Sequence, residues 1–288
     1  MKVTYLLGAG ASAEGVPVVE EFIDKLKQFE NFLLHDRAFT EHKREIKVII
    51  DDIHWLIIGI ETRASVDSFA KFLYNTDQNE LLRLKRLLSF FLTAHQFQHS
   101  LDRRYDLFFS KIITGNQHNI DLNPKIKLLT WNYDIQIEKG FYSQTGNASL
   151  FSCQNKLNVY PPNRNEEQPN QFSVFKLNGT AGLVVTDDIV YDQIFDDLEM
   201  DESQFFQQLF KVYESPNNKP MFYFAWEDSH HTDNVITKAI NSIKDTQILV
   251  VIGYSFPDVN RPIDRKITSA MTNLKMIYLQ DINNERVQ

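Results

Sequence analysis

The chain has 288 residues, a formal net charge of −8, 43% hydrophobic and 24% charged residues. That composition excludes a disordered polymer and suits one large α/β domain or a domain with an insertion. The acidic balance argues against an extended nucleic-acid surface and for a small-molecule or protein partner. The candidate basic clusters, Lys43-Arg44 and Arg83 to Arg86, read as solvated helix faces. No stretch is long and apolar enough to span a bilayer, and no basic-then-apolar leader precedes the first strand, so a cytoplasmic protein without membrane contact is expected. Cys153 is the single cysteine, so neither a disulfide nor a cysteine zinc site is expected.

Val3, Tyr5, Leu6 and Leu7 predict a first strand that breaks abruptly at Gly8-Ala9-Gly10-Ala11-Ser12. A strand running into glycines and then a helix is how an α/β protein offers backbone N–H groups to a phosphate. The pattern lacks the third glycine of the full dinucleotide fingerprint, because Ala13 stands there and the next glycine is Gly15. A tight strand-to-helix turn without a ligand is the competing reading. After Pro17 the chain turns helical, with Phe22, Leu26 and Phe29 at helical spacing. Residues 41–58, 65–74, 79–98 and 102–114 continue the helical pattern, with Ser65 as a cap. The expected organisation is one domain, with a Rossmann-like core of residues 1–30 and 120–288 and a helical insertion over residues 31–119. The insertion's apolar faces serve either core packing or oligomerisation.

Strand chemistry returns at residues 125–130 and ends in Trp131-Asn132-Tyr133-Asp134, followed by a helix over residues 135–142. Open α/β sheets bind ligands beyond such carboxyl ends. A helix cap would account for Asp134 but not for Asn132, and Trp131 is either a pocket wall or core. Residues 146–170, rich in Asn, Gln and Pro, read as a long loop. A β run over residues 172–177 ends in Asn178-Gly179-Thr180. A hairpin over residues 183–190, an acidic surface stretch and a helix over residues 204–213 follow. The last third alternates: strands at residues 221–225, 247–252 and 274–279, helices at 234–243 and 261–271. This predicts an α/β fold with a mostly parallel, doubly wound sheet covered on both faces. Gly253-Tyr254-Ser255 closes the apolar strand 247–252, and Asp281 follows the last one, where an acidic residue often meets a ribose. His230 and His231 lie beside Asp228 and Asp233, but adjacent histidines diverge, so no metal site is expected.

These corners, in this order, resemble the sirtuin superfamily, in its divergent bacterial branch of NAD+-consuming anti-phage defence proteins. Gly8 to Ser12 with Gly15-Val16-Pro17 is similar to the family's phosphate loop and its downstream Gly-x-Pro. Asn132-Tyr133-Asp134 resembles the Asn-x-Asp motif of the nicotinamide and ribose pocket. Asn178-Gly179 stands where the family has His-Gly, and Gly253-Tyr254-Ser255 resembles the adenosine-side Gly-Ser loop. The resemblance implies NAD+ as substrate, with Gly8, Ala9, Gly10, Ala11, Ser12, Pro17, Gly179, Gly253, Tyr254, Ser255 and Asp281 binding it. It assigns catalysis to Asn132, Asp134 and the Asn178 position.

The departures redirect the chemistry. The four zinc cysteines of the deacetylases are missing, and Pro17 is followed by Val18-Val19-Glu20 instead of Asp-Phe-Arg. Both losses point away from deacylation and towards hydrolysis of NAD+ to nicotinamide and an ADP-ribose product. The resemblance then implies a toxic NAD+-depleting effector acting by abortive infection, held off by self-assembly or a defence partner. Asn178 takes no proton near neutral pH. Three readings follow: native use of Asn178, a base supplied by another residue, or an inactive chain. A sensor or scaffold that binds NAD+ or ADP-ribose uncleaved is the alternative, and an ordinary oxidoreductase fits poorly because the insertion breaks the usual unit after the glycine loop.

Overall fold

The computed structural model describes residues 1–17, 21–36, 39–116, 119–146, 149–162, 170–186, 190–193, 196–227 and 230–281; the side chains at 116, 119, 186, 190–192 and 230–233 lie outside that set. The chain forms two compact units. The first comprises Met1–Gly15, Ser100–Thr180 and Tyr223–Gln288, and the second Val16–His99 and Ala181–Phe222.

The first unit is built on six parallel strands: β1 (Val3–Leu7), β4 (Ile126–Thr130), β5 (Val159–Tyr160), β6 (Ser173–Lys176), β10 (Ile248–Ile252) and β11 (Met276–Gln280). Their spatial order is β11-β10-β1-β4-β6-β5, so the chain winds both ways from β1. Neighbouring residues in a strand face opposite sides, which makes two cores from one set of apolar runs. Leu6, Leu129, Phe175 and Val251 join α9 (His230–Ile243) and α10 (Arg261–Ala270) on one face. Leu7, Leu128 and Val174 join α5 (Arg103–Ile112), α6 (Gln136–Thr145) and α7 (Leu150–Leu157) on the other. The doubly wound parallel sheet expected of the sequence is therefore present.

Four local expectations change. Residues 146–170 are not one long loop, since α7 and β5 form within them: Ser149 caps the helix by accepting from Ser152 N–H, and Cys153 and Leu157 bury. An antiparallel hairpin, β2 (Ile113–Asn116) with β3 (Asn119–Leu122), takes the last two residues expected in the 102–114 helix and follows it. The strand near residue 221 is β9 (Lys219–Phe222), which joins β7 (Gly179–Thr186) and β8 (Val190–Gln193) in a separate sheet rather than the parallel one. Cover on both faces fails at the edge, where Met276, Ile277, Tyr278 and Leu279 of β11 are 47–53% exposed.

The second unit holds α1 (Phe22–His35), α2 (Lys43–Arg63), α3 (Val66–Thr76), α4 (Gln78–Gln98) and α8 (Glu202–Glu214) with the β8-β7-β9 sheet. Ser65 caps α3 as its sequence position predicts, and Asp77 and Asp201 cap α4 and α8. Residues 181–222 group with this unit, whereas the sequence reading kept residues 120–288 together, and α5 groups with the sheet. The cause is aromatic: Phe206 and Phe210 of α8 pack on Phe39, and Phe210 packs on Phe90 of α4. No helix among the described residues is long and apolar enough to cross a membrane.

Candidate active site

The carboxyl ends of β1, β4, β6 and β10 converge, and the glycines are what let them do so. A Cβ on Gly8 would lie 2.6 Å from Gly253 O and from the Tyr254 Cα, and one on Gly253 would lie 2.3 Å from Ala11 N. Gly253 also has φ +58°, in the left-handed region that favours glycine. The two turns thus pack main chain against main chain. Gly8 N–H donates to Ile252 O and Gly10 N–H to Gly253 O, at 3.0 and 2.9 Å. Ala11, Glu14 and Gly15 also spend their N–H groups internally, on Gly8 O, Asp102 Oδ2 and Ser12 O. The loop itself forms a single 3-10 turn, Ala9–Ser12, and the helix expected after Pro17 is α1, which begins at Phe22. Close approach of the two main chains accounts for the glycines at positions 8 and 253.

Side chains from β1 and β4 meet beneath that turn. Asn132 donates its amide hydrogens to Gly8 O (2.9 Å) and Ser12 Oγ (3.1 Å). With both donors used, its carbonyl oxygen is what remains for a ligand. Asp134 is 5% exposed and accepts Gln136 N–H at 3.0 Å. The cap reading is thus right for one oxygen, which serves the first residue of α6. Burial pushes the Asp134 carboxyl up from its ordinary value, and the Lys176 charge and the Gln136 hydrogen bond pull it back.

Three groups that sequence reasoning missed hold this cluster. Lys176 is 0% exposed, and its ammonium donates to Asp134 O (2.6 Å), Thr180 Oγ1 (3.3 Å) and Glu138 Oε1 (2.7 Å). A lysine inside the apolar strand of residues 172–177, two positions before Asn178, was the available signal. Asp102 and Arg104 pair at the start of α5, and Arg104 Nη1 donates to Gly10 O at 3.0 Å. Burial pushes Asp102 up, but the Arg104 bonds and charge and the backbone N–H groups outweigh it and hold the carboxyl below its ordinary value. Tyr105 Oη lies 2.9 Å from Ser12 Oγ. In sequence these residues look like an ordinary helix start, and Asp102 does cap α5.

Asn178 is 8% exposed; its amide donates to Trp131 O at 3.3 Å, and its Oδ1 is buried with no hydrogen-bonding partner. Its neighbour Gly179 has φ +83°. Tyr254 stacks on Trp131 with ring centroids 6.1 Å apart, and its hydroxyl is committed to Asp264 (2.8 Å) and Asn260 (3.0 Å). Tyr254 is therefore a wall rather than a free donor. Ala9 and Ser255 are exposed at the rim. Asp281 follows β11, two strand positions from β1, and Pro17 belongs to the second unit. Asp228 and the side chains of His230, His231 and Asp233 lie outside the described residues, and no metal-holding group of three or more His, Cys, Asp or Glu occurs among those described.

Fold and site together define a Rossmann-like α/β protein with a buried polar cluster at the carboxyl edge of its parallel sheet. No family model matches the chain, and no curated protein matches it. Among solved structures it is similar to a Sir2 homolog–NAD complex, at 11% identity over 96% of this chain and 76% of that one, with TM-score 0.43. A Sir2 bound to acetylated peptide is similar at 11% identity over 96% and 87%, with TM-score 0.40. At that identity and TM-score these likenesses decide neither fold nor function; the fold class rests on the sheet itself.

Proposed function

We propose that the chain is an NAD+ glycohydrolase of the sirtuin-like, non-deacetylating kind, acting in prokaryotic anti-phage defence by depleting NAD+. The observation that supports it best is the bonding of Asn132 to Gly8 O and Ser12 Oγ, which joins two of the motifs that carry the resemblance, beside a buried Asp134 and a buried Asn178 Oδ1 that lacks a partner. An unpaired buried acceptor costs stability unless a ligand satisfies it, and a ribose hydroxyl is a donor of the right kind.

In the reaction the bond from ribose C1′ to the pyridinium nitrogen breaks, and its electron pair leaves with neutral nicotinamide. Departure needs no general acid. The cationic sugar that develops is stabilised by the Asp134 carboxylate, while the Asn132 carbonyl and Asn178 Oδ1 orient ribose or water. Water adds to C1′ and releases its proton to solvent, leaving ADP-ribose. Without a histidine the site forgoes the ~10²–10⁴-fold that a general base contributes. A slow or partner-triggered enzyme is the consequence, and it suits a toxin held in check by self-assembly or a partner protein.

The test is release of nicotinamide from NAD+ by the native assembly. Asp134→Asn should lower turnover by more than tenfold and Asn132→Ala by a similar factor. Turnover that ignores both changes would sink the assignment. Asn178 specifically favours a second reading, a binder that leaves NAD+ or ADP-ribose intact. Calorimetry followed by mass analysis of recovered ligand separates the two, since intact ligand means a sensor.

A further inference from the structure

β11 closes one end of the six-stranded sheet, with β10 on its inner side. Met276, Ile277, Tyr278 and Leu279 are 47–53% exposed, so both faces of the strand meet solvent. Its sequence, MIYLQ, has no charge and no proline, the devices that ordinarily blunt an exposed edge. The inner hydrogen bonds fix which residues face outward. Met276 N–H donates to Gln247 O and Gln280 O accepts from Gly253 N–H, so residues 276, 278 and 280 turn their backbone to β10. Direction alternates along a strand, which leaves Ile277 and Leu279 offering N–H and C=O to the outer side.

We propose that this edge pairs with the same edge of a second copy of the chain, antiparallel and centred on Tyr278. A twofold axis makes every contact reciprocal. An axis between two residues would set an outward-facing residue against an inward-facing one and close no ladder. Centred on Tyr278, the axis puts Ile277 opposite Leu279 of the second copy, and each such pair exchanges both backbone bonds. The same register sets Lys275, exposed just before the strand, opposite Asp281, partly exposed just after it. An axis through residue 277 or 279 would instead put Lys275 against Leu279 or Asp281 against Ile277. A chain of net charge −8 repels its own copies, so a self-pairing edge must be uncharged and its flanking charges opposite in sign. β11 meets both conditions. The pairing rests on no reading of the chemistry at the other strand ends.

Sedimentation velocity of the full chain should show a dimer that grows with concentration. Lys275→Glu turns two attractive cross-strand pairs repulsive and should raise the dimer Kd roughly tenfold, and adding Asp281→Lys should restore it. Cross-linking reads the register. Cα atoms of a non-hydrogen-bonded antiparallel pair lie about 4.5 Å apart, inside disulfide range, so Tyr278→Cys should oxidise to a covalent dimer. Gln280→Cys should not, because its two copies stand four residues apart in that register, roughly 14 Å. Cys153 is buried and stays out of the reaction. The substituted side chains all reach solvent, so the variants should keep the fold, which circular dichroism checks. A chain that stays monomeric at every concentration, a charge swap that fails to restore the dimer, or equal cross-linking at positions 278 and 280 would overturn the proposal.

Discussion

In the helical unit the buried contacts are mostly apolar and many are ring on ring: Phe39 against Phe206 at 4.8 Å, Phe29 against Phe91 at 5.4 Å, Phe90 against Tyr213 at 5.1 Å, with Asp52 held there by Arg83 and Tyr213. Beneath the strand ends of the sheet unit the buried side chains are instead Lys176, Glu138, Asp134, Asp102, Gln136 and Asn178. Rings tolerate repacking and reward any compact arrangement, whereas buried charges are stable only in the one arrangement that satisfies them. The helical unit is thus built for bulk, and the sheet unit spends stability on fixed dipoles. Fixed dipoles are what cleavage of a charged nucleotide needs.

The largest effect that would break this contrast comes from the Lys176–Glu138 pair. Lys176→Met leaves a carboxylate buried without its counter-charge and should cost about 3–5 kcal/mol in urea unfolding. Adding Glu138→Leu should restore most of it, because an apolar pair of similar volume is often neutral. A single variant as stable as the wild type would mean that the ion pair is not the keystone described. The ring cluster makes the matching case. Phe206→Ala should cost about 3 kcal/mol by emptying a well-packed site, while leaving nucleotide affinity unchanged. Calorimetry checks whether the two variants lower different transitions; a common transition would show that the units unfold as one.

Gly253→Ala comes next. The new methyl group would sit 2.3 Å from Ala11 N on a residue with φ +58°. A cost of about 1–3 kcal/mol and weaker NAD+ binding should appear together, since the same contact shapes the glycine turn. Stability loss without any change in binding would separate the turn from the site.

The same contrast governs what was legible in the sequence. Helices of the second unit and parallel strands of the first announce themselves by period, so residues 79–98 and 247–252 match α4 and β10 within a residue or two. Strand-end polar residues mark a candidate site edge, which is why the sequence singles out Asn132, Asp134 and Asn178. Period carries no information about which distant side chain completes a buried charge. Lys176 is visible only as an oddity in an apolar strand, and Tyr105 reads as one more aromatic on an amphipathic helix. The glycine turn shows in the sequence as glycines, but the sequence does not show that Gly253 is the main chain packed against it. The short helix α7 hid among turn-forming residues, where a Ser cap and two buried apolar side chains were enough to form it.

The smallest predicted effect sharpens the contrast through pH. Burial pushes the Lys139 ammonium down from its ordinary value to about 8, and Asp134 opposes the shift. Between about 8 and the unfolded value near 10.4 the unfolded chain holds a proton that the folded chain has lost. Stability should therefore rise as pH climbs from 8, by about 1 kcal/mol once solvent screening of this half-buried group is allowed for. The buried phenols of Tyr105 and Tyr254 are held protonated and reverse the slope above pH ~10, where unfolded tyrosines ionise. Denaturant midpoints measured across that interval should climb for the wild type and stay level for Lys139→Met. A level wild-type curve would mean that Lys139 is solvated, and that the charge burial of the sheet unit stops at Lys176.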